Sequence, residues 1–320
     1  MKENKKRLII IDSNAIIHRA YHALPPLTKN GELVNAVYGF LLFLFKALKD
    51  LRPDYVAATF DFPAPTFRHK EYKEYKATRL KADKELYEQI PKTKEYLEKF
   101  GIQVFEKEGY EPDDLIGTLS YLAENKNPDI ETIILTGDND ALQLVDENTK
   151  VYAIRRGVKD TVLYDEKLTE EKYGGLKPSQ LVDFKALRGD PSDNIPGVFG
   201  IGEKTAIDLI IRFGSLEKVY SALKKNNSEK IKDSVKEKLL AKKENAFLSK
   251  KLSEIDKNVP IIFDIEKCGF EKLNKENILN LLQKYGFTSL MKRTEEIFGK
   301  KEENNSKEGK EVRASNLKLF

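Results

Sequence analysis

Three short runs of nearly unbroken apolar residues each close on an aspartate: Leu8–Asp12 (LIIID), Tyr55–Asp61 (YVAATFD) and Thr132–Asp138 (TIILTGD). Successive side chains of a strand point to opposite faces, so unbroken apolar runs belong to strands covered on both sides. Val151–Ile154 is a weaker fourth strand of the same kind. Helical spacing between them predicts helices over Asn35–Lys49, Lys84–Phe100 and Asp113–Asn125. This alternation over residues 1–168 predicts an α/β layered domain with a mostly parallel sheet. From Thr169 the strand signals fade and helical patterns with Gly and Pro breaks take over, so an all-helical region is expected over 169–298. The stretch Gly299–Arg313 is almost devoid of apolar residues, so 299–320 is expected to be a disordered tail.

Composition narrows the chemistry. Hydrophobic residues make up 40% of the 320 and charged residues 34%, which fits a globular chain with a polar surface. The longest uncharged run, Leu33–Phe45, has 13 residues, short of the roughly 20 needed to span a bilayer. The start MKENKKRLIIID lacks the apolar core of a signal peptide, so a cytoplasmic location away from membranes is expected. Cys268 is the only cysteine, which leaves no intrachain disulfide, and the histidines are only His18, His22 and His69. A zinc site of cysteine and histidine is therefore disfavoured, and any metal should be a hard cation held by oxygen.

Oxygen ligands are plentiful. In an open parallel sheet the carboxyl ends of the strands line one edge, where ligands bind. Asp12, Asp61 and Asp138 should gather there. Glu111, Asp113 and Asp114 (GYEPDDLIG), Asp140 (TGDND), and Asp190 with Asp193 (LRGDPSDNIPG) are candidates to join them. Singly, each could be a turn former or a helix cap. Together they repel, at roughly 1 kcal/mol per close pair in water and about 4 at intermediate dielectric. Nine carboxylates in one crevice imply divalent cations. Two such ions about 3.5–4 Å apart suit phosphodiester hydrolysis, one activating water and the other stabilising the leaving oxygen.

Phosphate-binding features accompany the acids. Between Arg68 and Lys81 six basic residues stand against two acidic ones, with Tyr72 and Tyr75 interleaved. Such a segment can neutralise phosphates and stack on bases, or can be a solvated helix face. Gly197–Ala206 (GVFGIGEKTA) is a glycine-rich hairpin opening into a helix, whose backbone amides could approach a phosphate closely, with Lys204 as a point charge. The stretch Lys224–Lys243 holds eight lysines and three acids and reads equally as a soluble helical surface.

At this point a resemblance is specific. The segments IIIDSNAIIHRAYHAL, NAVYGFL, FDFPAPTFRHKEYKEYKATR, GYEPDDLIGTL, ILTGDNDALQLV and LRGDPSDNIPGVFGIGEKTA resemble, in order and over residues 7 to 298, the 5′ nuclease domain of bacterial DNA polymerase I and, more broadly, the flap endonuclease family. The resemblance implies a Rossmann-like (PIN-like) nuclease core, a helical arch near residues 66–90, and a helix–three-turn–helix region that grips duplex DNA. It implies Asp12, Asp61, Glu111 and Asp113 as ligands of one ion. Asp114, Asp138, Asp140, Asp190 and Asp193 would surround the second, some through water. Mg2+ is the implied ion, with Mn2+ as a substitute. Arg68, Lys76 and Arg79 fall in the arch, where the family places cations that act on the scissile phosphate, and Arg19 is a further phosphate contact. Gly197, Gly200, Gly202, Lys204 and Thr205 match the duplex contact of the helix-hairpin-helix, which resembles sites that hold a potassium ion. Asn139 stands where a basic residue is common in the family (TGDND rather than TGDKD).

The implied activity is 5′→3′ exonucleolysis and cleavage of 5′ flaps, on flapped, nicked or gapped duplex and on RNA–DNA hybrid, by a bacterial monomer in primer removal and repair. Polymerase I continues into further domains for which 320 residues leave no room, so a stand-alone enzyme or a fragment is expected. Residues Asn316, Leu317, Leu319 and Phe320 (NLKLF) resemble the bacterial sliding-clamp-binding peptide, with asparagine in place of the usual glutamine. Three other readings compete. A non-catalytic DNA-binding module is disfavoured by the full carboxylate set. A PIN-type ribonuclease is disfavoured by the helical half with its glycine hairpin. An aspartyl-phosphate phosphohydrolase is disfavoured by Asp12-Ser13-Asn14, where that chemistry often has Asp-x-Asp.

Overall fold

The structure is a computed structural model, which describes residues 5–79, 81–155, 160–224 and 231–299. The strands are β1 (Lys6–Asp12), β2 (Thr28–Lys29), β3 (Glu32–Leu33), β4 (Tyr55–Thr59), β5 (Gln103–Phe105), β6 (Ile130–Thr136), β7 (Thr149–Ile154) and β8 (Thr161–Tyr164). Six of them form one sheet in the order β5-β4-β1-β6-β7-β8, parallel except for β8, while β2 and β3 make a separate small hairpin. β4 and β6 stop two residues before Asp61 and Asp138, because the chain turns out of the ladder at Asp61–Pro63 and at Gly137. β5 and β8 are additions to the sequence reading; QVF and TVLY are too short to carry a periodic signal.

The apolar runs divide by parity. Ile9 and Ile11 face a layer containing Phe40, Phe43 and Leu97, whereas Leu8 and Ile10 face Ile116, Leu119, Leu187 and Leu209. The first layer is built by the helices Ser13–Ala23, Asn35–Leu51 and Lys84–Lys99. The run Leu33–Phe45 falls largely within it: from Asn35 to Leu51 nearly every apolar side chain is buried. Among the described residues no helix is long and apolar enough to cross a membrane.

The second layer starts with the helix Pro112–Lys126 and continues into the helical half: Leu181–Arg188, Glu203–Phe213, Leu216–Lys224, Asp233–Ala241 and Lys243–Ser253. Leu181, Phe184, Leu187, Leu209 and Ile210 share one buried cluster with Leu8, Ile10 and Ile134 of the sheet. The helical half thus shares a buried core cluster with the sheet. Beyond it the chain crosses to the other face, where Ile278, Leu282, Tyr285, Phe287 and Leu290 join the first layer. Two backbone hydrogen bonds fasten this return, Phe270 N to Asp54 O at 2.7 Å and Asn274 N to Phe100 O at 2.8 Å.

Within the stretch 66–90, expected as a helical arch, the helix Lys84–Lys99 begins at the far end. The described residues form a short helix, Phe67–Glu71, followed by turns over 73–78, with Lys76 at φ +55°. The tail residues Asn316, Leu317, Leu319 and Phe320, and residues 225–230 of the lysine-rich stretch, lie outside the described residues.

Candidate active site

The crevice opens where the strand order reverses. From β1 the chain runs to β4 on one side, and β6 returns on the other, so helices leave the sheet in opposite directions between β1 and β6. Such a switch point leaves an open cleft at the carboxyl ends of the strands. Asp12 ends β1 there and caps the helix Ser13–Ala23, accepting from Ala15 N at 3.2 Å. Thr136 ends β6 and ties the two strand ends together. Its hydroxyl donates to Asp12 Oδ2 at 2.6 Å and accepts from Asp138 N at 2.9 Å. Asp138 Oδ1 accepts from Asp140 N at 2.9 Å, while Asp61 N donates to Asn14 Oδ1 at 3.1 Å. Glu111 caps the helix Pro112–Lys126, which brings Asp113 into its first turn.

Electrostatics mark these acids as one group. Burial pushes the Asp12 carboxyl up to about 7, against hydrogen bonds from Thr136 and Ala15 and with help from Asp138 and Asp61. Burial also lifts Asp113 well above the ordinary carboxyl range, reinforced by Asp12, Asp138, Asp140 and Glu111. Asp140 rises to about 6, through burial and Asp138 working against Lys185. Asp61 rises through burial and Glu111, despite Lys76. Like charges confined in low dielectric hold protons for this reason.

At the margins, basic side chains supply the counter-charge. Lys76 Nζ donates to Glu111 Oε1 at 2.8 Å and lies 3.9 Å from Asp193 Oδ2. Arg79 donates to Asp193 Oδ1. Lys185 donates to Asp140 and, at 2.7 Å, to Asp190 Oδ2. Burial opposes ionisation of Asp190, but Lys185 and Ser192 outweigh it and hold the carboxyl at about 2. Among the described residues, Asp12, Asp61, Asp113 and Asp138 form no ion pair. The donor set is all hard oxygen, and its central acids have no cationic side chain paired to them among the described residues, which fits a divalent cation. As they stand, no three acids among the described residues converge into a chelating group.

Several expectations are corrected here. Asp114 is wholly buried, and both its oxygens receive a bidentate contact from Arg68 at 2.7 and 2.8 Å. It also accepts from Glu111 N and Asp256 N, which leaves no face for an ion. Arg68 is 2% exposed, and its remaining N–H groups reach Leu252 O and Glu254 O, so it cannot meet a phosphate. This pair fastens the start of the arch segment to the core and to the helical half. Tyr75 is buried too and stacks on no base; its hydroxyl lies 3.0 Å from Glu111 Oε2 and 3.2 Å from Asp193 Oδ2. Tyr72 is half-buried. Arg19 donates to Ile154 O at 3.1 Å and, with Asn139, Arg155 and Lys172, lines a cleft of 480 Å³ beside Gly137.

The loop carrying Asp190 and Asp193 is closed by hydrogen bonds between Asp190 and Ile195 in both directions, at 2.9 and 2.8 Å. Gly197, at φ +60°, packs against it so tightly that a Cβ would come within 2.3 Å of Gly189 N. The hairpin follows, with Gly200 at φ +83° and Gly202 beginning the helix Glu203–Phe213. Lys204 is exposed and Thr205 half-buried. At the tip Phe199 is 85% exposed, a surface feature the sequence reading passed over. Lys185, Ser192 and Thr136 were also missed. For Lys185 the available signal was a lysine in the last turn of a helix stopped by Gly189, which folds Asp190 back onto it.

A doubly wound α/β core with an acidic crevice at its switch point, flanked by basic residues and a glycine hairpin, defines a class of phosphate-ester-cleaving folds. Comparison with known proteins places the chain within it. Residues 7–174 match the family model of the 5′-3′ exonuclease N-terminal resolvase-like domain, and residues 176–276 match that of the 5′-3′ exonuclease C-terminal SAM fold. The chain belongs to the 5′-3′ exonuclease family, a family of nucleases. It is 39% identical to DNA polymerase I of Bacillus subtilis over 305 residues, and 43% identical to that of Caldicellulosiruptor bescii over 290. These matches cover 95% and 90% of the chain but 34% and 33% of the relatives, so the chain spans about a third of their length. The fold is that of zinc-bound T5 5′-exonuclease (TM-score 0.64, 20% identity, covering 92% of this chain and 99% of that one). The catalytic core of Rad2 in complex with DNA substrate is also similar (TM-score 0.53, 16% identity, 92% of each chain).

Two predictions follow from the buried groups. Arg68→Met leaves Asp114 charged and unpaired in the interior and is expected to cost about 3–5 kcal/mol in urea unfolding. Replacing both, as Arg68→Met with Asp114→Leu, should recover much of that loss. The second concerns pH. In the fold Asp12 and Asp140 keep protons up to about 7 and about 6, whereas the ordinary value is 3.8. The folded form then binds more protons than the unfolded chain across that window, so these acids make the metal-free protein less stable as pH rises from about 4 to 7. Asp190 works in the opposite sense, adding stability above 3.8 that fades as pH falls towards 2. In thermal melts, Asn at both 12 and 140 should flatten the decline above about pH 4; an unchanged profile would refute the assignment.

Proposed function

We propose that this chain is a divalent-metal-dependent nuclease that removes nucleotides 5′→3′ and cuts 5′ flaps in DNA by two-metal hydrolysis. Its substrates on this reading are flapped, nicked or gapped duplex and RNA–DNA hybrid, as arise in primer removal and repair. The observation that carries it is the group Asp12, Asp61, Asp113 and Asp138, gathered at the sheet's switch point without ion-pair partners among the described residues. Like-charged, proton-holding carboxylates at a ligand-binding edge are stable as anions only with cations between them.

On this reading Asp12, Asp61, Glu111 and Asp113 hold one ion, and Asp138, Asp140, Asp190 and Asp193 surround the other. Mg2+ is the ion we infer, with Mn2+ able to replace it. When bound, the ions supply positive charge that activates water and stabilises the leaving oxygen. The chain's own residues do the remaining work. Thr136 fixes the Asp12 carboxylate relative to the backbone of Asp138. Lys76 and Arg79, held at the rim by Glu111 and Asp193, present positive charge to an incoming phosphate. Arg19 offers another phosphate contact. The hairpin grips the duplex backbone through the exposed Gly200 and Gly202, the Lys204 ammonium and Thr205, with a potassium ion at the same turn, while Gly197, whose amide donates to Ser249 Oγ at 2.8 Å, shapes the turn from inside. T5 flap endonuclease, similar in fold, is described in a complex with DNA and metal ions (TM-score 0.63, 20% identity), which supports this arrangement.

The deciding experiment is cleavage of a 5′-flap duplex with Mg2+ or with chelator. Activity only with the ion is expected. Asp12→Ala and Asp138→Asn should lower turnover about a hundredfold or more, since a bound ion contributes several kcal/mol, yet retain flap binding in chelator. Wild-type turnover in either variant would remove the assignment. We further infer that residues 316–320 tether the nuclease, as a monomer, to the bacterial sliding clamp, raising its local concentration at primer junctions. Deleting Leu319 and Phe320 should end co-elution with the clamp and spare flap cleavage; persistent co-elution refutes the tether.

A further inference from the structure

One cation in the crevice belongs to neither the arch nor the hairpin. Lys185 lies in the last turn of the helix Leu181–Arg188, and Gly189, at φ +78°, turns the chain so that Asp190 comes back beside it. Its ammonium donates to Asp190 Oδ2 at 2.7 Å and to Asp140, with only 13% of the side chain exposed. Asp140 comes from the turn after β6, in the sheet layer, and Asp190 from the helical half. The lysine therefore joins acids from the two parts of the molecule at their contact.

Asp190 already accepts three hydrogen bonds. Its Oδ1 accepts from Ser192 N at 3.0 Å and from Ser192 Oγ at 2.6 Å, and its Oδ2 is taken by Lys185. A cation approaching Asp190 Oδ2 meets the positive charge of Lys185 already there. The central acids are in the opposite condition, with no cation paired to them.

We propose that Lys185 is a resident counter-ion: it occupies the position between Asp140 and Asp190 that a divalent ion would otherwise take, keeps the two carboxylates together when no metal is bound, and weakens ion binding at this end of the crevice. This deepens, and rests on, the reading of the crevice as a metal centre. The physical basis is direct. A single positive charge cancels part of the field that would attract a dication, and replacing the ammonium with a neutral chain leaves two close carboxylates that repel each other and attract one. Lys185 is thus a positioning residue, acting on the metal requirement through Asp140 and Asp190.

The test is Mn2+ binding to the full chain without DNA, followed by calorimetry and by the melting temperature, for wild type, Lys185→Met and Lys185→Arg. Lys185→Met should bind its weakest ion about tenfold more tightly, or bind one additional ion, and its melting temperature should start below wild type and recover as Mn2+ is added. Lys185→Arg keeps the charge and should match wild type in ion number and affinity. Mn2+ affinity in Lys185→Met that is unchanged or weaker, or an equal gain in Lys185→Arg, overturns the counter-ion role. If Lys185→Met does not fold without metal, refolding in Mn2+ reads the same quantity. Recovery of a native melt supports the proposal, and no recovery at any Mn2+ concentration overturns it. A wild-type chain that binds no divalent ion would instead defeat the metal-centre reading itself.

Discussion

Mutual repulsion among carboxylates at the switch point is the constraint around which the rest of the molecule is arranged. A sheet edge between β1 and β6 is the natural place for a cleft, and the acids placed there would destabilise the fold if each stood charged and alone. Two kinds of relief are visible. At the centre, Asp12 and Asp113 retain protons that an ion of higher charge can replace. At the margins, Lys76, Arg79 and Lys185 neutralise Glu111, Asp193, Asp190 and Asp140 directly. Charge compensation is thus graded across the crevice, from basic side chains at its rim to protons held on the central acids.

The second structural device is the Arg68–Asp114 pair. Both groups are removed from water, so their contact gives little net stability against an apolar pair of the same size, while losing one partner is severe. What the pair does is join separate segments. Arg68 contacts Asp114 of one helix and the carbonyls of Leu252 and Glu254 at the end of another, while Asp114 accepts from Glu111 N. The position of Glu111, and with it the rim holding Lys76 and Tyr75, depends on this buried contact.

The helical half is as much a wall of the crevice as a partner of the sheet. Because Leu187 and Leu209 enter the same core as Leu8 and Ile10, the loop bearing Asp190 and Asp193 is held at a fixed distance from the strand ends. A hinge between two independent cores would leave those acids free to move apart. The tight closure of Gly189 against Gly197 carries the same rigidity into the hairpin.

The sequence by itself determined the four central strands β1, β4, β6 and β7, their burial on both faces and the placing of Asp12, Asp61 and Asp138 at the ends of three of them. Those properties depend on local pattern: apolar runs of strand length, and a parallel sheet that aligns their ends. Motif resemblance extended this to the other acids and to the hairpin. Tertiary structure alone decided what each polar side chain faces. Asp114 and Asp113 are neighbours in one helical turn, yet one is enclosed by Arg68 and the other opens on the crevice. Arg68 and Lys76 share one basic segment, yet one is interior and the other at the rim. Lys185 acquires its role from Asp140, 45 positions earlier in the chain. No local pattern carries such information, because the free energy of a charge depends on its water and its partners, and folding alone assigns both.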